Sequence, residues 1–110
     1  MAAFVCCCML SVQVHAATGT ATYYADRFEG RTTANSETFA QEKLTAAHNS
    51  LPFGTRVKVT NLVNGNSVVV RVNDRMHSRN PTLIDVSKKA AKELGCVRAG
   101  RVPVLLEIVP

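Results

Sequence analysis

The sequence predicts an all-β fold, a small β-barrel that carries one short α-helix, and three observations lead there. Short runs rich in Val, Thr, Ile and Tyr recur along the chain, at residues 19–24, 55–62, the stretch up to Arg75, 82–86 and 101–109. They are separated by turn residues such as Pro52-Phe53-Gly54 and Asn64-Gly65. Only residues 88–94 carry helix punctuation at both ends, with Ser87 as the N-cap and Gly95 as the left-handed stop. The chain has 110 residues, 46% of them hydrophobic, which suits one core and leaves no room for a second.

Residues 1–18 hold no Lys, Arg, Asp or Glu and gather Phe4, Val5, Met9 and Leu10 around three cysteines before Val14-His15-Ala16. This pattern reads as a secretory signal over residues 1–16, cleaved after Ala16, and is too short for a permanent membrane span. The domain then runs over residues 17–110. Cys6, Cys7 and Cys8 fall in the signal, so Cys96 alone remains and no internal disulfide forms. Cys96 has no base near it in sequence and reads as a small buried apolar residue. His15, His48 and His77 stand alone and there is no CxxC, so neither a metal site nor a cofactor is expected.

The formal net charge of +5 survives cleavage intact. A basic surface suits an anionic polymer, but the charges are scattered and aromatics for stacking bases are few, which argues against nucleic acid. For an exported domain the anionic polymer at hand is the cell envelope.

Taken in order, residues 19–24 form the first strand, with Tyr23 and Tyr24 on opposite faces, one in the core and one lining a groove. Residues 25–50 read as a long structured loop, with a short helix around residues 39–44. That loop holds Arg31, Asn35, Glu37 and His48. Glu37 and His48 are candidates for positioning a sugar or moving a proton; taken alone, they read more readily as a helix-start carboxylate and a loop staple. The strand over residues 55–62 turns back at Asn64-Gly65, a pair that tolerates positive φ at both positions of a two-residue turn. Alternation in the next strand puts Val68, Val70, Val72 and Asp74 on one face, and Val69, Arg71, Asn73 and Arg75 on the other. Asp74 thus ends an apolar row; spacing alone favours a strand-end Asp bonding to turn amides, and the other reading is a desolvated carboxyl that can hold a proton there, with Arg75 pointing away. Asp85 reads as a partner of the nearby helix cap. Pro103 belongs at the start or edge of the last strand.

In this order the segments Gly19-Thr20-Ala21-Thr22-Tyr23-Tyr24, RTTANSETF, TAAH, LPFGTRVKVTNLVNG, VVVRVNDR and LIDVSKKAAKELG resemble the RlpA-like proteins. The resemblance covers nearly everything after the signal. It implies a six-stranded double-psi β-barrel, acting as a monomer in the periplasm or cell envelope or secreted from it. It also implies a lytic transglycosylase that cleaves peptidoglycan glycan strands in cell-wall remodelling. Carried over residue by residue, it places the catalytic set on Asp74, Glu37 and His48. Tyr24, Arg31, Asn35, Asn73 and Arg75 then become groove residues for sugar or carboxylate. The family pattern is broken at Ser36, where a Gly usually precedes the Glu, at Ala40, where Asp is frequent, and at Met76-His77, where the turn is usually Gly-Pro. A peptidoglycan-binding SPOR domain is not expected after Pro110.

The reaction requires protonation of the glycosidic oxygen and removal of a proton from the muramyl C6 hydroxyl, so the sugar closes to a 1,6-anhydro product. One carboxyl can serve both steps, and Asp74 is assigned to it. Glu37 and His48 would hold substrate, offset positive charge or tune Asp74. Two other classes fit the same residues. One is an expansin-like module that binds glycan without cutting. The other is an inverting hydrolase using Glu37 as the second carboxylate. An envelope scaffold with a vestigial groove is a further possibility.

Overall fold

The computed structural model describes residues 16–110; apart from Ala16, the expected export signal lies outside the described residues. Six strands and one helix follow in the order β1 (Ala16–Tyr23), β2 (Thr45–His48), β3 (Arg56–Asn61), β4 (Ser67–Arg75), β5 (Ile84–Val86), α1 (Lys88–Leu94) and β6 (Arg101–Val109). The strands close into a barrel in the order β1-β5-β2-β4-β3-β6. β1 with β5 and β2 with β4 are parallel, and the other pairings are antiparallel. This is the six-stranded barrel with one short helix that the sequence leads one to expect. Closure removes every free sheet edge.

The core follows from period-two alternation. Val57 and Val59 of β3, Val68, Val70 and Val72 of β4, and Val102, Val104 and Leu106 of β6 are buried, while Arg56, Lys58 and Pro103 between them are exposed. Helix α1 adds Ala90, Ala91 and Leu94 to the same cluster. Ser87 caps it by accepting from the Ala90 amide, and Gly95 closes it in the left-handed conformation at φ 74°. Pro103 lies just ahead of the first residue that pairs with β3; its carbonyl still accepts from the Leu62 amide at 2.9 Å, and the donor it lacks falls at the end of that ladder. Tyr23 packs against the main cluster and donates its hydroxyl to the Val97 carbonyl, whereas Tyr24 turns to a second cluster.

Three expectations are corrected. Residues 39–44 form no helix, and Thr45–His48 is a strand between β4 and β5 where only loop was expected. All four of its residues are buried, and a fully buried strand this short shows no alternation to detect. The Asn64-Gly65 turn is not a two-residue turn: Gly65 has φ 81°, Asn64 does not have positive φ, and the Gly65 amide donates back to the Asn61 carbonyl. Asn64 instead donates its amide to the Leu94 carbonyl, as does Asn61, so the hairpin loop caps the end of α1. Finally, Asp85 plays no part at the start of α1. That position belongs to Gln41, whose side-chain oxygen accepts from the Lys88 amide and whose carbonyl accepts from the Lys89 amide.

Gly95 tests the junction between hairpin and helix. A Cβ there would stand 2.9 Å from the Asn64 amide nitrogen on a backbone with positive φ. Gly95→Ala is expected to destabilise the domain by about 1–2 kcal/mol, a fall of roughly 5–15 °C in Tm. Thermal unfolding followed by circular dichroism measures it, and an unchanged Tm would refute this account of the junction.

Candidate active site

One extra residue in β4 builds the site. Thr45 and Ala46 of β2 stand opposite Arg71 and Val72, but Ala47 stands opposite Asp74, so Asn73 has no partner and forms a β-bulge. The bulge resets the alternation. Val72, level with Ala46, faces the barrel core, whereas Asp74, level with Ala47, faces the second cluster on the outer side. Asp74 therefore does not end the apolar row of Val68, Val70 and Val72. The end of β4 also runs past β3, whose pairing stops at Arg71, and leaves this segment on a rim.

Asp74 is held on both oxygens. Oδ1 accepts from the Ala34 amide at 2.8 Å and the Arg75 amide at 2.9 Å, and Oδ2 accepts from the Tyr24 hydroxyl at 2.6 Å. All three neighbours donate, so the geometry is that of a carboxylate accepting. Tyr24 is 6% exposed and is wedged by aromatic packing. Its ring stacks on Phe39 at 4.1 Å and meets Phe28 edge-on at 5.8 Å. Burial, then the bond to Asp74, pushes the Tyr24 phenol well above its usual range, which keeps it a donor. Met76, where the family turn differs, fills the same cluster with Ala47.

Glu37 lies on the same outer side. Its carboxylate makes a two-pronged ion pair with Arg71, at 2.7 Å and 2.8 Å, and accepts from the Asn73 amide at 3.1 Å and the Asn35 amide at 2.9 Å. The Arg71 bonds first, then those of Asn73 and Asn35, hold its pKa down at about 2. Glu37 is thus a fixed anion and not a proton donor. The turn over residues 33–37 ties the two carboxylates together, since Ala34 donates to Asp74 while the Asn35 amide donates to the Asn73 carbonyl.

His48 is not part of this cluster. Its neighbour Ala47 belongs to the outer cluster, and the His48 ring turns to the opposite face, into a cavity of about 230 Å³ lined by Ala17, Leu51, Val57 and Leu106. Nδ1 accepts from the Ser50 and Leu51 amides at 3.0 Å and 3.1 Å, which fixes the neutral tautomer with its proton on Nε2. Burial, then the charge of Arg75, lowers its pKa. No hydrogen bond joins the ring to Asp74 or Glu37 among the described residues. The link is through backbone: the His48 carbonyl accepts from Arg75 Nη1 at 3.0 Å and from the Met76 amide at 3.3 Å, which fixes the chain just after Asp74.

Of the other sequence candidates, Tyr24, Asn35 and Asn73 join the network. Arg75 lies over the Phe53 ring, 4.4 Å from its centroid, and Arg31 lies 5.6 Å from that of Phe28. Two residues were missed. Arg71 holds Glu37, and its signal was a lone Arg inside an apolar strand. Asp85, flanked by the buried Ile84 and Val86, accepts from the Thr22 hydroxyl at 3.1 Å. Beside the network a second hollow, of about 630 Å³, runs over the outer face of β3 and β4 and presents Arg56, Lys58 and Arg71 with Glu93. Among the described residues no group of side chains has the make-up of a metal site.

A family model described as "Lytic transglycolase" matches residues 16–106. The chain is 55% identical over 91 residues to the probable endolytic peptidoglycan transglycosylase RlpA of Synechocystis sp., covering 83% of this chain and 28% of that protein. It is 47% identical over 93 residues to the endolytic peptidoglycan transglycosylase RlpA of Campylobacter jejuni, covering 84% of this chain and 34% of that one. The chain therefore spans about a third of the length of the curated relatives it matches. Among solved structures, the Streptomyces papain inhibitor superposes with a TM-score of 0.71 at 24% identity, over 91% of this chain and all of the other. An expansin from Clavibacter michiganensis superposes with a TM-score of 0.68 at 28% identity, over 86% of this chain and 50% of that one.

Ser36, beside Glu37, is the only non-glycine among the described residues with positive φ, at 75°. This explains in physical terms why a Gly is usual there: a Cβ crowds the carbonyl in the left-handed conformation. Ser36→Gly is expected to raise stability by about 0.5–1 kcal/mol, the relief of strain less the added freedom of the unfolded chain. Denaturant unfolding measures it, and a loss of stability would show that the Ser36 side chain contributes something the backbone does not reveal.

Proposed function

Since the chain belongs to the lytic transglycolase family by its match over residues 16–106, we propose that it cleaves the glycan strands of peptidoglycan without water, leaving 1,6-anhydromuramyl ends. The observation that carries this reading is Asp74, a half-buried rim carboxylate whose two oxygens are held by Ala34, Arg75 and Tyr24. A carboxylate fixed in this way is prepared to accept the proton of the muramyl C6 hydroxyl as that oxygen closes on C1. Proton transfer to a positioned side chain of this kind contributes typically 10²–10⁴-fold in rate.

The remaining groups divide the work. Glu37 stays ionised and supplies a fixed negative charge on the side where the oxocarbenium-like ring develops positive charge. Both of its oxygens are occupied by Arg71, Asn73 and Asn35, which makes it poorly placed to activate a water, so an inverting hydrolase built on Glu37 is disfavoured. His48 acts as a positioning residue through its carbonyl. The hollow with Arg56, Lys58 and Arg71 suits the carboxylates that a peptidoglycan strand carries on its lactyl and peptide groups. Tyr24, Asn35 and Asn73 support the reacting carboxylates rather than stack on sugar. Residues 1–16, as an export signal, would deliver the domain to the periplasm or cell envelope.

Mass spectrometry of soluble products from glycan strands, with and without stem peptides, tests the activity. Anhydro ends are expected; reducing ends would indicate a hydrolase, and binding without release an expansin-like module. Asp74→Asn should lower turnover by at least roughly 10²-fold and leave the fold intact, because an amide oxygen still accepts from Ala34 and Arg75. A folded variant turning over at the wild-type rate would remove Asp74 from the mechanism. For export, expression of all 110 residues should yield processed protein outside the cytoplasm, and unprocessed cytoplasmic protein would overturn the reading of residues 1–16.

A further inference from the structure

A single row of residues crosses four neighbouring strands. Thr22 of β1 stands opposite Asp85 of β5, Asp85 opposite Ala47 of β2, and Ala47 opposite Asp74 of β4. Residues level with one another on adjacent strands present their side chains to the same face. Asp74 and Asp85 therefore share one side of the sheet, with Ala47 between them in the row and Tyr24 packed on the same face. Their Cα atoms are two strand spacings apart, roughly 9–10 Å.

The two carboxyls are bonded in opposite ways. Asp74 has three donors. Asp85 has one, the Thr22 hydroxyl on Oδ1, and its Oδ2 takes no hydrogen bond from the described residues. No cation pairs with it among those residues. The titratable groups that face it are Asp74 from β4 and Tyr24 just after β1, while β2 presents only Ala47.

We propose that Asp85 is the second catalytic residue, the acid that protonates the glycosidic oxygen, and that Asp74 is the base that takes the C6 hydroxyl proton. The proton leaves Asp85 for the glycosidic oxygen as the C1–O bond breaks, and the leaving sugar departs as an alcohol. The C6 oxygen then bonds to C1 and its proton passes to Asp74. Asp85 ends the turnover as a carboxylate and Asp74 as the acid, and proton exchange with solvent restores both. No other reactant is consumed. Burial pushes the Asp85 carboxyl up to about 6; the Thr22 bond opposes this and the nearby charge of Asp74 adds to it. An acid in that range is the one matched to proton donation in mildly acidic to neutral conditions. The inference rests on the lytic reading only in naming the C6 hydroxyl as the second reactant.

The test compares the wild-type chain, Asp85→Asn and Asp74→Asn on glycan strands across pH, with Tm recorded for each. Wild-type kcat/KM should fall tenfold per pH unit above an apparent value of about 6. Asp85→Asn should lose at least roughly 10²-fold, and its residual rate should lack that alkaline fall. Its Tm above pH 7 should equal or exceed the wild type, because the folded-state pKa is raised. The stability it brings is complete below the ordinary carboxylate value and is lost as pH rises through 6, whereas Asn has no charge to bury. A folded Asp85→Asn with a rate within threefold and the same alkaline fall would overturn the proposal. Carbon-13 NMR of the Asp85 carboxyl decides independently of turnover. Titration near 6 that moves down in Asp74→Asn supports the pair, and titration at the ordinary carboxylate value overturns it. If the wild type releases reducing ends, the lytic reading fails while the dependence on Asp85 is still read from the same rates.

Discussion

The unpaired residue Asn73 is the constraint on which the rest of the candidate site depends. Were Asn73 paired in a regular ladder, Asp74 would continue the inward row of Val68, Val70 and Val72, and a carboxylate would sit against the barrel core at a cost far above any bond it could make there. With it, the chain turns Asp74 outward, level with Ala47 and Asp85, while Val72 keeps its place against Ala46. Asn73 itself becomes a donor to Glu37. A bulge of this kind re-aims side chains without disturbing the pairing on either side, and the residues before it remain in register with β3.

Around that bulge the site is assembled from two supports. The aromatic cluster of Tyr24, Phe28 and Phe39 sets the phenol that reaches Asp74, and Met76 fills the space beneath it. The turn over residues 33–37 brings the Ala34 amide to Asp74 and the Glu37 carboxylate to Arg71. The ion pair itself is partly exposed, so its value lies less in stability than in fixing where a negative charge stands. Ser36 accepts a left-handed backbone to make the turn, a small strain located beside the residues that face the groove.

The barrel makes these contacts possible because strands distant in sequence become neighbours. Thr22, Ala47, Asp74 and Asp85 come from four strands, and parallel pairing of β1 with β5 and of β2 with β4 is what sets them level. His48 shows the other side of the same geometry. One residue beyond Ala47, it faces the opposite way, and it influences Asp74 only through the backbone that Arg75 and Met76 hold.

Local chemistry was readable from the chain alone wherever it has a local cause. Alternating Val residues marked β3 and β4, Ser87 and Gly95 marked both ends of α1, and the ordered motifs marked the family and the barrel. What escaped has a non-local cause. The strand Thr45–His48 is buried on both faces and has no period, the bulge at Asn73 is a mismatch between strands over twenty residues apart, and Asn64 serves a helix end thirty residues on. Asp85 looked like a cap neighbour because sequence distance favoured Ser87. Only the register of β5 against β1 and β2 shows that it shares a face with Asp74, because which side chains meet across a closed barrel is decided by strand pairing and not by the residues beside them in the chain.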